Sequence, residues 1–142
     1  EADKNYNKAP FCTWKEIKEM VEAGVIEVAS HSHTHCNMEE TNDYEKELLL
    51  SKKILESNLN QYVSSFIYPY GRFSPKTDQT IKNIYPYTMR IGNGMNFSWT
   101  PKKTPLLRVC ADGVTDFKKI VSKIPSYKFK AYTNALRYSL FA

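Results

Sequence analysis

Hydrophobic positions along this chain alternate between helical and strand-like spacing. A first helix is predicted from Thr13, which with Glu16 has the pattern of a capping box, to Gly24, a residue suited to a helix end. The apolar run 25–29 then predicts a short buried strand. Later helices are predicted over 42–60, 74–84 and 115–124, and later strands over 63–68, 87–91 and 106–110. This order predicts an α/β fold with a mostly parallel sheet and helices outside it.

The length of the chain, 142 residues, is enough for one domain with a hydrophobic core. We divide it into a main portion over residues 1–125 and a helix or arm of the same domain over 126–142, rich in Tyr, Lys and Phe. It has no internal repeat, no transmembrane segment of roughly 20 apolar residues and no signal-peptide pattern. Because the first residue is not Met, we expect a processed or cut piece of a longer protein.

The net charge of +5 is concentrated near the end of the chain. Two interpretations stay open: attraction to anionic polymers or cell surfaces, and a solvated basic face, of which the second is favoured. Motifs of nucleic-acid-binding proteins are absent, so nucleic acid is not an expected partner. The three cysteines Cys12, Cys36 and Cys110 include no CxxC pair, which argues against a structural zinc knuckle.

All three histidines lie within residues 31–35, directly after the predicted strand 25–29. The carboxyl ends of strands are where α/β folds place their chemistry. His31 and His35 have i,i+4 spacing, which allows both rings to reach one point, and neutral imidazole is a common metal ligand. His33, between them, is expected to point the other way. From the residues alone, a metal site and an exposed polar loop both stay open.

Two segments of the chain match motifs in a consistent order. The sequence His-Ser-His-Thr-His at 31–35 resembles the H-[S/T]-x-x-H motif of polysaccharide deacetylases, the NodB-like carbohydrate esterases. The sequence Phe-Ile-Tyr-Pro-Tyr-Gly at 66–71 resembles the next motif of that family, a strand ending in Pro-aromatic-Gly. Residues 107–109 and the helix starting near 115–117 resemble the branch that trims poly-N-acetylglucosamine in biofilm matrices. The resemblance covers residues 11–124.

Other parts of the family pattern have no counterpart in this sequence. The first motif, Thr-Phe-Asp-Asp-Gly, is absent, and with it the general-base aspartate and the aspartate that completes the metal site. The general-acid histidine is also absent, because no histidine lies outside 31–35. In the biofilm-matrix branch that histidine precedes the first motif, so one N-terminal truncation explains both gaps. The resemblance therefore implies a partial distorted (β/α) barrel of the polysaccharide deacetylase type, lacking the first strands.

The resemblance also implies an activity. The expected reaction is metal-dependent hydrolysis of N-acetyl groups on a polysaccharide such as poly-N-acetylglucosamine, with zinc as the expected divalent metal. This chain alone is expected to be inactive, and to self-associate or pair with a missing N-terminal segment. An extracellular or cell-surface location is implied by the family. The alternatives are a non-catalytic carbohydrate-binding or interaction domain derived from a deacetylase, and a metal-binding module unrelated to sugars.

By the same resemblance, His31 and His35 are the expected metal ligands, and the backbone N–H of Tyr70 is the expected oxyanion donor. Ser32 is expected to support the loop through a hydrogen bond from its side chain to the backbone, as Thr34 also could. Arg108 has two interpretations: it points inward and pairs with the carboxylates of the missing first motif, or it lies at an exposed strand end.

A sugar-facing wall is predicted from Tyr68, Pro69 and Tyr70, with Trp99 as a further substrate-binding residue. Packed tyrosines in a turn, and a tryptophan that anchors its loop, are the alternatives. The apolar side of each predicted element gives the expected core: Trp14, Ile17, Val21, Val28, Leu48, Leu55, Phe66, Ile81, Leu107 and Phe117.

Overall fold

Three short strands form a parallel sheet in a computed structural model that describes residues 11–96, 98, 105–109 and 116–139. The strands are β1 (Ser65–Ile67), β2 (Tyr87–Ile91) and β3 (Leu106–Arg108), in the order β1-β2-β3. Ile67 is in register with Met89, which is in register with Leu106. The predicted α/β fold with a parallel sheet is therefore confirmed.

Helices and helical turns occupy most of the described chain outside the strands. They are α1 (Trp14–Glu22), a π-helical turn (Glu45–Leu50), α2 (Ser51–Leu59), a 3-10 turn (Pro69–Gly71), α3 (Pro75–Lys82), α4 (Phe117–Val121) and α5 (Ile124–Ser139). The capping box of Thr13 and Glu16 is present at the start of α1, with both reciprocal hydrogen bonds formed. Ser74 caps α3 ahead of Pro75, as predicted. Local sequence signals therefore locate these helix starts.

The predicted strand over residues 25–29 is largely missing from the structure. Only the next residue, Ser30, extends the sheet, through a parallel bridge with Phe66. Its N–H donates to the Ser65 carbonyl at 2.9 Å and its carbonyl accepts from the Ile67 N–H at 2.8 Å. Val25 is 70% exposed, so this end of the predicted strand has no core to cover. The bridge nevertheless places the histidine segment beside the carboxyl end of β1.

The core lies between the sheet, the π-helical turn and α3. Its fully buried members are Met38, Leu48, Val63, Phe66, Tyr68, Ile81 and Tyr85. The Tyr85 hydroxyl donates to the Leu48 carbonyl at 3.0 Å, which ties the π-helical turn to the segment before β2. The Tyr68 hydroxyl donates to Asp78 Oδ1 at 2.9 Å, which ties the end of β1 to α3. Both buried hydroxyls thus have partners, as burial requires.

The predicted core residues differ in how far the structure buries them. Leu48, Phe66 and Ile81 are buried, whereas five other predicted members are half-buried: Ile17, Val21, Val28, Leu55 and Leu107. Trp14 is 43% exposed, so its assignment to the core is wrong. Helical spacing identified the apolar face of α1 but not whether anything packs against it. The side chain of Phe117 lies outside the described residues.

The segment after residue 125, predicted as a helix or arm, is helical from Ile124 to Ser139. Pro125 lies in the first turn of this helix, where its missing N–H is tolerated. The Met95 N–H donates to the Tyr127 carbonyl at 3.3 Å, and Ala131 is buried. The helix therefore packs against the loop that follows β2. Across the ranges that the structure describes, no helix is both long and apolar enough to span a bilayer.

Candidate metal and substrate site

The imidazoles of His31 and His35 lie against each other, with ring centroids 4.8 Å apart and planes at 64°. The structure thus brings together the two rings that the i,i+4 spacing singled out. His31 Nδ1 lies 2.7 Å from the Ile67 carbonyl oxygen. Because a carbonyl only accepts, Nδ1 carries the proton, and Nε2 of the neutral ring keeps its lone pair for a ligand. Metal-binding histidines are oriented by this kind of hydrogen bond.

His35 joins the histidine loop, residues 31–36, to the turn that ends β1. Its ring lies 4.7 Å from the Tyr70 ring, centroid to centroid, at 66°. His35 Nδ1 is also 3.2 Å from the Tyr70 hydroxyl oxygen, within hydrogen-bonding distance. Two segments about 35 residues apart in sequence therefore meet at one exposed point.

Unusual backbone conformations are concentrated at this point. Five described residues other than glycine have positive φ. Two are Asn60 and Asn93, a residue type that tolerates the left-handed region. The other three are Ser32 (65°), His35 (58°) and Tyr70 (58°), and all belong to the candidate site. Such strain persists only where surrounding structure fixes it, and it is typical of functional sites.

A buried carboxylate fixes the middle of the histidine loop. Glu47, in the π-helical turn, is only 4% exposed. Its Oε2 accepts the backbone N–H groups of His33 at 3.0 Å and Thr34 at 2.9 Å. Its Oε1 accepts the Thr34 hydroxyl at 2.7 Å. The loop is therefore hydrogen-bonded to an element that belongs to the core.

Electrostatics at Glu47 favour the ionised form. Burial by itself would raise the pKa of this carboxyl, but the hydrogen bonds from Thr34, Cys36 and His33 outweigh burial and lower the pKa to about 2. Burial and the neighbouring Glu47 carboxylate raise the pKa of the Cys36 thiol. At neutral pH the loop is thus held by a carboxylate and flanked by a neutral thiol.

The turn after β1 presents one aromatic ring and buries another. Tyr70 is 68% exposed beside His35, consistent with its predicted place in a sugar-facing wall. Tyr68 and Pro69 are both buried, Tyr68 at 1% exposure, so the structure corrects their predicted substrate-facing role. The second interpretation, packed residues in a turn, applies to these two. Gly71 has a φ of +66°, and an added Cβ there would lie 2.9 Å from the Ile91 carbonyl oxygen, so the turn is seated against β2.

The supporting residues differ in what they do. Ser32 Oγ accepts the Cys36 N–H at 3.2 Å, the loop-stabilising bond expected of it. Arg108 is exposed at the end of β3, which agrees with the exposed-strand-end interpretation. Trp99 lies outside the described residues.

The described residues provide some, but not all, of the ligands of a metal site. His31 and His35 offer two imidazoles in contact, one with its tautomer fixed for binding through Nε2. Within the described ranges, no group of three or more His, Cys, Asp or Glu side chains is placed to hold a metal. Zinc sites of hydrolytic enzymes use three protein ligands. The two histidines therefore fit as part of such a site, with a further ligand needed from elsewhere.

Sequence reasoning missed Glu47. In the sequence it is one of several charged residues at the start of a predicted helix, where a solvated face is expected. One signal was present: Glu47 directly precedes the apolar run 48–50, which indicates that this part of the helix packs against the core. The backbone N–H donors that occupy the carboxylate cannot be identified from side-chain patterns.

Fold and site together define an α/β domain with chemistry-bearing loops at the carboxyl edge of a parallel sheet. The chain belongs to the polysaccharide deacetylase family, because the model of that family matches residues 2–89, more than half of the chain. A comparison with curated protein sequences gave no significant match.

Crystal structures of two Bacillus proteins are among those that resemble this chain. One is BC0361, a polysaccharide deacetylase from Bacillus cereus, with a TM-score of 0.71 and 27% identity over 83% of this chain and 38% of that one. The other is BA0330 from Bacillus anthracis, also named for this family, with a TM-score of 0.72 and 25% identity over 84% and 39%. The chain thus spans about two fifths of the length of these proteins.

Proposed function

We propose that this chain is part of an enzyme that removes N-acetyl groups from a polysaccharide such as poly-N-acetylglucosamine. The observation that carries the proposal is the contact of the His31 and His35 rings beside the exposed Tyr70. Membership of the polysaccharide deacetylase family supports the reaction class. The polymer, and an extracellular or cell-surface location where such polymers occur, belong to the proposal.

Hydrolysis of an acetamide needs an activated water and a partner for the developing oxyanion. A divalent metal, with zinc expected, would supply acidity to a bound water. His31 and His35 would hold it, and the Ile67 carbonyl would keep His31 in the required tautomer. Tyr70 would contribute its backbone N–H toward the oxyanion and its exposed ring toward the apolar face of a sugar.

Zinc titration of four proteins tests the ligand assignment: the wild-type chain and its His31→Ala, His35→Ala and His33→Ala variants. Loss of a ligand should weaken affinity at least as much as loss of a supporting contact, about 10–100-fold. His33 gives its backbone N–H to Glu47, and alanine keeps that group, so this variant should bind zinc like the wild type. Equal losses in all three variants would contradict the assignment.

Release of acetate from N-acetylglucosamine oligomers tests the reaction. The chain alone is expected to be nearly inactive, since a general acid and a general base each contribute roughly 10²–10⁴-fold and neither is assigned here. An extended protein carrying the Asp-Asp motif should release acetate in the presence of zinc. Oligomer binding without release by the extended protein would favour a non-catalytic carbohydrate-binding domain. Metal-dependent release by residues 1–142 alone would mean that another carboxylate acts as base; one candidate, Asp112, lies outside the described residues.

A further inference from the structure

We propose that Glu47 is a positioning residue, whose carboxylate sets the placement of the His31 and His35 rings. The inference rests on the proposed function for the role of those rings, but the geometry that carries it is independent of any metal. Two N–H groups and one hydroxyl of the loop end on this one side chain, beside the Cys36 thiol. Glu47 itself touches neither ring in any of these bonds.

The bonds fall where the loop needs them. His35, with its left-handed backbone, comes directly after Thr34, whose N–H and hydroxyl are both held by Glu47. The Ser32 side chain accepts the Cys36 N–H on the other side of the loop. A residue in a sparsely populated conformation persists only when its neighbours over-determine it. Fixing residues 33 and 34 therefore fixes the direction in which His35 leaves the backbone.

Glu47 can act as a fixed point because its own backbone belongs to the core. The next residue, Leu48, is fully buried, and its carbonyl accepts the Tyr85 hydroxyl at 3.0 Å. The surrounding turn is π-helical, a geometry frequent at functional sites. A chain of contacts thus runs from the core through Glu47 to the histidine loop and on to Tyr70.

The charge of the side chain matters as well as its position. A carboxylate has acceptors only, and the two N–H groups, the hydroxyl and the Cys36 thiol all donate to it. A glutamine of the same shape has one acceptor oxygen and one NH₂ group. With its oxygen toward the two backbone N–H groups, the amide would present NH₂ to the Thr34 hydroxyl, which would then have to accept instead of donate. The charge that strengthens these bonds would also be lost, so Glu47→Gln should weaken the hold on the loop while leaving the core side chains unchanged.

Glu56 offers a matched control on the neighbouring helix. Its Oε1 accepts the Val63 N–H at 3.0 Å and pairs with Lys52 Nζ at 3.1 Å. It is thus a partly buried glutamate with backbone and side-chain partners, all of them outside the histidine loop. Glu56→Gln should lower stability without disturbing the two rings.

The experiment compares wild-type chain, Glu47→Gln and Glu56→Gln by two measurements. In zinc-free protein, NMR should show a cross-relaxation peak between the His31 and His35 rings, weakened in Glu47→Gln and unchanged in Glu56→Gln. With zinc ion as the probe, the affinity of Glu47→Gln should fall about 10–100-fold, whereas that of Glu56→Gln should match wild type. Glu47→Gln with an unchanged ring contact and zinc affinity would overturn the proposal.

A milder pair of variants keeps the test decisive if Glu47→Gln does not fold. Thr34→Val removes only the hydroxyl bond to Glu47 at an exposed residue, and Thr34→Ser retains it. Weakened ring contact in the valine variant with rescue in the serine variant supports the proposal, and no difference between them overturns it. If wild-type protein binds no zinc through His31 and His35, the proposed function fails, while the ring contact in zinc-free protein still decides the role of Glu47.

Discussion

Helix α1 and the histidine loop are both exposed, yet different forces hold them. All nine residues of α1 are described and none is fully buried; its start is fixed by the local capping box of Thr13 and Glu16. The histidine loop lacks regular structure, but its backbone is hydrogen-bonded to the buried Glu47. The helix is defined by residues within four positions of one another, and the loop by a residue more than ten positions away.

This difference separates two kinds of information in a sequence. Caps and helical spacing specify local conformation and can be recognised by pattern. The shape of a functional loop depends on which distant group supplies its hydrogen bonds. The position of that group is set only when the core forms. The conformation of the histidine loop is therefore fixed by its hydrogen bonds to the core, whereas that of α1 is fixed by its own residues.

The largest expected difference is in the free energy of unfolding lost when a large side chain is removed beside Glu47 or from α1. Leu48 is fully buried next to Glu47, so Leu48→Ala should lower the free energy of unfolding by about 2–5 kcal/mol, through lost burial and a cavity. Trp14 is large but nearly half exposed, so Trp14→Ala should cost less than about 1 kcal/mol. Urea unfolding of both variants measures the two values. A larger loss for Trp14→Ala would mean that α1 is packed more tightly than the structure shows.

Acid should weaken the hold of Glu47 on the histidine loop. The pKa of Glu47 is about 2 in the folded protein, below its ordinary value of 4.5. Its contribution to stability is therefore complete above pH 5 and is lost as the pH falls from about 5 toward 2. The buried carboxylate should account for roughly 1–3 kcal/mol over this range. Unfolding measured at several pH values gives the slope.

Glu47→Gln is the control for the acid effect, because glutamine does not titrate. Its stability should depend less on pH between 5 and 2 than that of the wild type. Some dependence should remain, since hydrogen bonds from Val63 and Lys52 also lower the pKa of Glu56. Identical pH slopes for wild type and Glu47→Gln would contradict the assignment.

The smallest effect is expected at the cap of α1. Thr13→Ala removes the side-chain acceptor for the Glu16 N–H and should cost about 0.5–2 kcal/mol of helix stability. Because α1 buries little, amide hydrogen exchange should rise within α1 alone, with the Thr34 amide unchanged. Faster exchange at Thr34 would show that α1 and the histidine loop unfold together.

Most of the fold elements and part of the site could be predicted from sequence. The order of helices and strands and the caps at Thr13 and Ser74 follow from local patterns. The His31–His35 contact follows from the i,i+4 spacing, although the strand predicted before these residues is largely missing. The burial of Tyr68 and the exposure of Trp14 could not be predicted. Tyrosine and tryptophan each combine a large apolar ring with a polar group, so both occur in cores and at surfaces.

The π-helical turn also sets the direction in which Glu47 points relative to the buried side of α2, which follows it directly. Residues in an α-helix are spaced by about 100° around the axis, so adding or removing one residue rotates everything on one side of the change by that amount. The wider turn over Glu45–Leu50 lets Glu47 face the histidine loop while α2 keeps its own buried positions, Ser51 and Leu59. Deleting one residue here would turn the carboxylate away from the loop without altering the composition of either helix. The site therefore depends on residue count as much as on residue identity.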